Sequence, residues 1–76
     1  MAAIVWGIGV GEQAWCEILF PKGDEDPDHR VVVVPLPAMN TSRDAWRAAH
    51  RLIQAASIEQ LADWRSVARP IDRANV

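Results

Sequence analysis

The chain has 76 residues, of which 50% are apolar and 24% are charged, so its composition is that of a globular protein rather than a disordered one. A single domain of this size buries only about 60% of its unfolded surface, which leaves little room for an enclosed active site. The net charge of −2 argues against a dedicated nucleic-acid binder, because such proteins usually carry a strong positive charge.

The chain contains one cysteine, Cys16, and therefore cannot form an intramolecular disulfide. Small secreted domains usually depend on such bonds, so the sequence indicates a reducing compartment. The first eleven residues lack the basic region of a signal peptide and are too short and too rich in glycine for a membrane helix. We therefore expect a cytoplasmic protein with no membrane partner.

Alternating residues at the start of the chain predict a β-hairpin with strands over about 2–10 and 13–20. In the first strand Ile4, Trp6 and Ile8 lie on one face and smaller residues on the other. A turn is expected at Gly11. In the second strand one face carries Ala14, Cys16, Ile18 and Phe20.

The hairpin is followed by a polar segment over 21–29 that is rich in acidic residues and proline, and we expect it to be a mobile loop. The valine-rich segment over 30–35 predicts a third strand. Because both of its faces are apolar, this strand should be central in the sheet or covered on both sides.

The segment from Thr41 to Ala56 has the clearest helical periodicity in the chain. Thr41 or Ser42 can cap its start, and Asp44 places a negative charge in the first turn, where the helix dipole favours it. We predict a helix over about 42–56.

A second helix is predicted over about 58–68. If the first helix continued, Ile58 and Leu61 would fall on its charged face, so an interruption near Ser57 is expected. Residues 57–60 also form a capping-box pattern, which independently marks a helix start. Pro70 should end this helix, and residues 70–76 should fray.

These elements predict one α+β domain over 1–76, in which a small three-stranded antiparallel sheet (β-β-β) carries two C-terminal helices packed on one face. The uncovered face, with Trp15 and Leu19, or an edge of the sheet offers a surface for a homodimer. The expected core is Ile4, Trp6, Ile8, Ile18, Phe20, Val31, Val33, Ala49, Leu52, Ile53, Leu61 and Trp64.

Three patterns resemble chemical motifs, and each departs from its motif at a required position. Glycines 7, 9 and 11 are followed by a strand rather than a phosphate-binding helix, and the third glycine of a dinucleotide motif would stand where Glu12 is. A calcium loop starting at Asp24 would need glycine in place of His29 and glutamate in place of Pro35. Cys16 could pair with a histidine, His29 or His50, as a thiol nucleophile, but its apolar strand face favours a buried structural cysteine.

Arg43, Arg47 and Arg51 recur every fourth residue and therefore share one helical face with His50 and Gln54. Trp46 borders this face. Three interpretations remain open: a solvated face, a protein contact, since arginine beside tryptophan is typical of interface hot spots, or contact with nucleic-acid phosphates. The acidic residues of the loop could form a second contact, for a basic partner: Asp24, Glu25, Asp26 and Asp28.

Charge is polarised along the chain, because residues 1–37 hold six acidic and two basic residues and residues 38–76 hold four acidic and six basic ones. With four tryptophans and no catalytic, cofactor or metal motif, this pattern predicts a non-enzymatic protein-binding module that acts stoichiometrically, as an inhibitor or adaptor of a larger complex. A specific hypothesis is an anti-defence protein of a phage or mobile element, such as an anti-CRISPR protein. The alternative is nucleic-acid binding through Arg43, Arg47 and Arg51.

Overall fold

The β-prone segments form the sheet of the computed structural model, which describes residues 2–23 and 27–71. Strands β1 (Ile4–Gly9), β2 (Trp15–Phe20) and β3 (Arg30–Pro35) pair antiparallel in that order. Helices α1 (Ser42–Ala55) and α2 (Ile58–Val67) follow. The predicted α+β class, antiparallel sheet and two helices are confirmed.

The prediction of three strands is wrong, because a fourth strand, β4 (Arg69–Pro70), pairs with the start of β3. The chain leaves α2 beside β3, where Nη1 of Arg30 donates a hydrogen bond to the carbonyl oxygen of Ala68 at 3.3 Å. Proline is tolerated in β4 because this strand forms the edge of the sheet. Pro70 is therefore paired rather than frayed, and the predicted fraying of 72–76 lies outside the described residues.

Both helices begin where their capping residues predict. The hydroxyl oxygen of Thr41 accepts a hydrogen bond from the backbone N–H of Asp44 at 3.1 Å, which caps α1. Ser57 accepts one from the N–H of Gln60 at 3.0 Å and caps α2. The predicted break near Ser57 is confirmed, and both helices end one residue before the predicted boundaries.

The core lies between one face of the sheet and the two helices. Cys16, Ile18 and Phe20 of β2 are buried on that face, as the alternation of the second strand predicts. Small residues, Ala49 of α1 and Ala68 after α2, pack on them. The partly buried apolar residues around this cluster are Ala3, Val5, Ile8, Val34, Leu36, Leu52, Ile53 and Trp64.

In β1 and β3, the residues that face the core differ from those that the sequence pattern predicts. Val5 and Gly7 pair with consecutive residues of β2, so Trp6 is the extra residue of a β-bulge. The bulge moves β1 out of simple alternation. Val5 and Ile8 therefore face the core, whereas Ile4 and Trp6 are exposed.

In β3 the predicted core residues Val31 and Val33 lie on the wrong face. Val32 is buried and Val34 packs against the core, because they pair with the inward residues of β2. β3 lies between β2 and β4 in the strand order, but β4 flanks only its first two residues. Val33 is 61% exposed, so β3 is covered on one face only. An uninterrupted run of valines has no alternation from which its phase could be predicted.

The hairpin turn holds the start of α1 in place. Gly11 has a φ of 116°, a backbone conformation that favours glycine. Its N–H donates to the carbonyl of Met39 at 2.7 Å, and the N–H of Met39 donates back to the carbonyl of Gly11 at 3.0 Å. This pair of bonds joins the β1–β2 turn to the segment that precedes α1.

We predict that Ala49→Leu lowers the free energy of unfolding by about 1–3 kcal/mol, because Ala49 is fully buried against the sheet and a larger side chain would overpack the contact. Urea denaturation measures the change. The matched control is Ala62→Leu on the exposed surface of α2, for which we expect a change within about 0.5 kcal/mol. Equal effects of the two substitutions would contradict the close packing of α1 on the sheet.

Candidate functional site

The surface of α1 next to β1 carries a partly exposed aromatic pair. Trp46 is 42% exposed, and its ring centroid lies 5.1 Å from that of His50 in a tilted arrangement. The two residues are four apart, so the helix brings their side chains together. A tryptophan exposed to this extent is a large apolar surface beside a polar ring, as in many protein contact sites.

Arg43, Arg47 and Arg51, which we call the arginine row, lie on the solvent side of α1 as predicted. All three are exposed. Across residues 2–23 and 27–71, no hydrogen bond or ion pair engages their guanidinium groups. Two of them line a polar hollow of about 280 Å³ together with Asp44 and residues 38–40. The arginine row is therefore available for an external anion.

A groove runs between α1 and the start of β1, with a volume of about 340 Å³. Its lining is mostly apolar. We call it the α1–β1 groove, and its lining residues are Ala3, Ile4, Val5, Trp46, His50, Ile53 and Gln54. The predicted residues Trp46 and His50 thus meet β1 residues that were not predicted as site residues, because the bulge in β1 could not be read from the sequence.

The sheet face opposite the helices is also apolar, and we call it the open face. Trp6 is 55% exposed next to it, and Val33 lies on it. The predicted exposure of Leu19 is wrong, because Leu19 is only 5% exposed between its neighbours on β1 and β3. Trp15 is exposed as predicted, and its indole lies over Gly9, where an added Cβ would clash with the indole ring.

Of the acidic loop residues, only Asp28 can be placed relative to the arginine row. Asp24, Glu25 and Asp26 lie outside the described residues. Asp28 is exposed and lines a hollow of about 270 Å³ with Lys22, Pro27, His29 and Ile71, and no member of the arginine row lines it. The backbone N–H of Lys22 donates to Nδ1 of His29 at 3.0 Å, which joins the two ends of this loop.

Cys16 is fully buried among apolar residues on the core face of β2, as predicted. Burial raises the pKa of its thiol above the ordinary value of 9.0, because removal from water penalises the thiolate. The thiol is therefore protonated at neutral pH, and a protonated thiol is a poor nucleophile. His50 lies on the exposed surface of α1 and not in this core. Within the described ranges, no three His, Cys, Asp or Glu residues are placed to hold a metal ion.

The elements define a small α+β domain with a two-layer arrangement of one sheet and two helices. In the part of the chain that the structure describes, no helix combines the length and apolar character that a membrane span requires. Comparisons with protein-family models, with curated protein sequences and with solved structures return no match to this chain.

We predict that alkylation of Cys16 by iodoacetamide at pH 8 is at least about 100-fold slower in the native protein than in 8 M urea, because the thiol is shielded and protonated. Mass spectrometry of quenched samples measures both rates. Native labelling as fast as that of the unfolded chain would contradict the burial and would reopen the thiol-nucleophile hypothesis.

The raised thiol pKa also predicts a pH dependence of stability. Cys16 stabilises the fold fully below pH 9.0, the ordinary thiol value, and this contribution is lost as the pH rises toward the higher pKa of the folded state. Urea denaturation between pH 7.5 and 10 should show a steeper loss of stability for the wild type than for Cys16→Ala. Parallel curves for the two proteins would refute the prediction.

Proposed function

We propose that this chain is a non-enzymatic protein-binding module that acts stoichiometrically, as an inhibitor or adaptor of a larger complex, and that α1 supplies its contact surface. One observation carries the proposal: Trp46 and His50 form an exposed aromatic pair directly beside an arginine row that no described residue engages. Tryptophan and arginine are the residue types enriched in interface hot spots.

The energetics of these residues support a protein contact. Burying the exposed part of an indole against a partner removes apolar area from water, at roughly 25 cal/mol per Å². A guanidinium group without an internal partner can pair with a carboxylate in a bidentate manner without first breaking an existing bond. Arg43 precedes Trp46 by three residues and Arg47 precedes His50 by three, so each arginine is a neighbour of one ring on the helix surface, and a single partner surface can engage both types of residue.

The narrower proposal is that the complex belongs to a host defence system and that the chain is an anti-CRISPR-like inhibitor. It rests on the small size of the domain and on the proposed stoichiometric binding. Expression of the chain in a cell with active CRISPR immunity should then restore plating of a targeted phage. Unchanged plating across the CRISPR types tested would remove this narrower proposal and leave the binding function in place.

Nucleic-acid binding through Arg43, Arg47 and Arg51 is the second candidate, and it is favoured as well by the lack of any described hydrogen-bond or ion-pair partner for these arginines. Three phosphate contacts would give a slope of about −2.7 in a plot of log affinity against log salt concentration. Affinity for duplex DNA would then fall about 40-fold between 50 and 200 mM salt. The overall charge of −2 opposes this candidate.

Affinity capture from nuclease-treated lysate of the source cells tests the proposed function. We expect the wild type to retain a defined protein at a ratio near one to one, and Arg47→Glu to lose it, because charge reversal would repel an acidic partner surface. The matched control is Arg69→Glu, an exposed arginine on the opposite edge of the sheet, which should retain the partner.

Two results would contradict the proposal. Capture that is equal for wild type and Arg47→Glu would exclude α1 as the contact surface. Recovery that disappears on nuclease treatment, together with a mobility shift of DNA or RNA that weakens with salt at the slope given above, would favour the nucleic-acid alternative instead.

A further inference from the structure

The two edges of the sheet differ in how well they accept another strand. One edge consists of β4, which pairs only with Arg30 and Val31, and of residues 32–35 of β3 beyond it. β4 has two residues and contains a proline, and the remaining four residues of β3 end in Pro35, so this edge resists pairing. The other edge is β1, whose six residues, IVWGIG, include neither a charged residue nor a proline. Among the described residues, β1 pairs only with β2. β1 is therefore the edge at which a further strand could be added.

The direction of the backbone groups on β1 follows from one hydrogen bond. The N–H of Leu36 donates to the carbonyl of Ala14 at 2.9 Å, so in the antiparallel ladder the even-numbered residues of β2 direct their backbone groups toward β3. Val5 and Ile8 stand opposite two of these even-numbered residues. Their own N–H and C=O groups consequently point away from β2, toward the outside of the sheet.

The α1–β1 groove lies where the side chains of an added strand would go. Directly paired residues place their side chains on the same face of a sheet, and the side chain of Val5 faces the core side, where α1 lies. A residue paired with Val5 would therefore direct its side chain into the groove beside Trp46 and Ile53. The bulge at Trp6 interrupts the edge, so the added ladder would be short and the groove would supply much of the contact.

Charge favours an acidic occupant over a second copy of the chain. His50 and Gln54 line the helix side of the groove, and Arg43 and Arg47 follow on the solvent side of the same helix. Carboxylates on the α1-facing side of an added strand would approach these two arginines. In a twofold dimer through β1, each α1 would instead meet the other α1, and the two arginine rows would repel each other.

We propose that the β1 edge and the α1–β1 groove bind an extended segment of the partner protein by strand addition. Every second residue of that segment faces α1, and these residues are apolar or acidic. This inference rests on the proposed protein-binding function and specifies the chemistry of its ligand. Backbone hydrogen bonds to Val5 and Ile8 provide affinity, and the groove with its flanking arginines provides specificity.

The test uses a blocked, fluorescently labelled eight-residue peptide with the sequence valine, threonine, glutamate, threonine repeated once, and anisotropy measures its binding to the full chain. The valines and glutamates share the face that would point to α1, and their backbone amides would point to β1. N-methylation of these amides should weaken binding by at least about tenfold, since two lost hydrogen bonds amount to about 1.4 kcal/mol or more. N-methylation of the threonine amides, which point away from β1, should change the affinity by less than about twofold.

Two further comparisons test whether the α1–β1 groove contributes to peptide binding and whether the ligand must be acidic. Trp46→Ala should weaken binding of the parent peptide, whereas Val33→Ser on the open face should leave the affinity unchanged. Both residues are exposed and lie outside the core cluster, so neither substitution should unfold the protein. A peptide with lysine in place of glutamate should bind at least about tenfold more weakly than the parent because of the arginine row.

Equal affinities of the two N-methylated peptides, or no measurable binding of the parent peptide, would overturn strand addition. A lysine peptide that binds as well as the parent would overturn the acidic class of ligand. If sedimentation shows a homodimer that persists when the peptide is added, the β1 edge would instead be assigned to pairing with a second copy of the chain. None of these results affects the dependence of partner capture on Arg47, so strand addition and the proposed function can fail independently.

Discussion

The fold depends on the burial of one face of β2. Cys16, Ile18 and Phe20 are the largest fully buried side chains, and both helices pack toward them through small residues, Ala49 of α1 and Ala68 after α2. The described core contains no buried polar or charged residue, so its stabilisation comes from apolar burial and close packing. α1 packs over β1 and β2, and α2 packs against β3 and is followed by the buried Ala68. β4 then pairs with the start of β3.

The two described helices cover one face of the sheet and leave the other face uncovered. The helices occupy the core side, and the apolar residues of the opposite side stay in contact with water, Val33 among them. The β1 edge is also exposed, since α1 lies over β1 and β2 and, among the described residues, no strand lies on the side of β1 away from β2. The surfaces available for binding are therefore a direct result of the two-layer arrangement.

α1 serves the core and the surface at once. Its inward residues, including Ala45 and Ala49, approach the sheet closely, and this close approach determines how far Trp46 stands from β1 and thus how wide the groove is. The arginine row on its outer side makes no hydrogen bond or ion pair with the described residues, so its charges contribute little to the stability of the fold. One side of α1 therefore packs in the core, and the opposite side is available for binding. Trp46 and His50 lie between the two sides.

By itself, the sequence determined the features that depend on neighbours along the chain. The caps at Thr41 and Ser57, the break between the helices, the inward face of β2 and the grouping of the arginines on α1 are all set by local hydrogen bonding and helical or strand periodicity. Only the tertiary structure decided which face of β1 and β3 is inward, because the bulge at Trp6 shifts one strand and the valines of β3 take their phase from pairing with β2. The α1–β1 groove and β4 likewise require residues that are distant in sequence to meet, and no local pattern encodes that meeting.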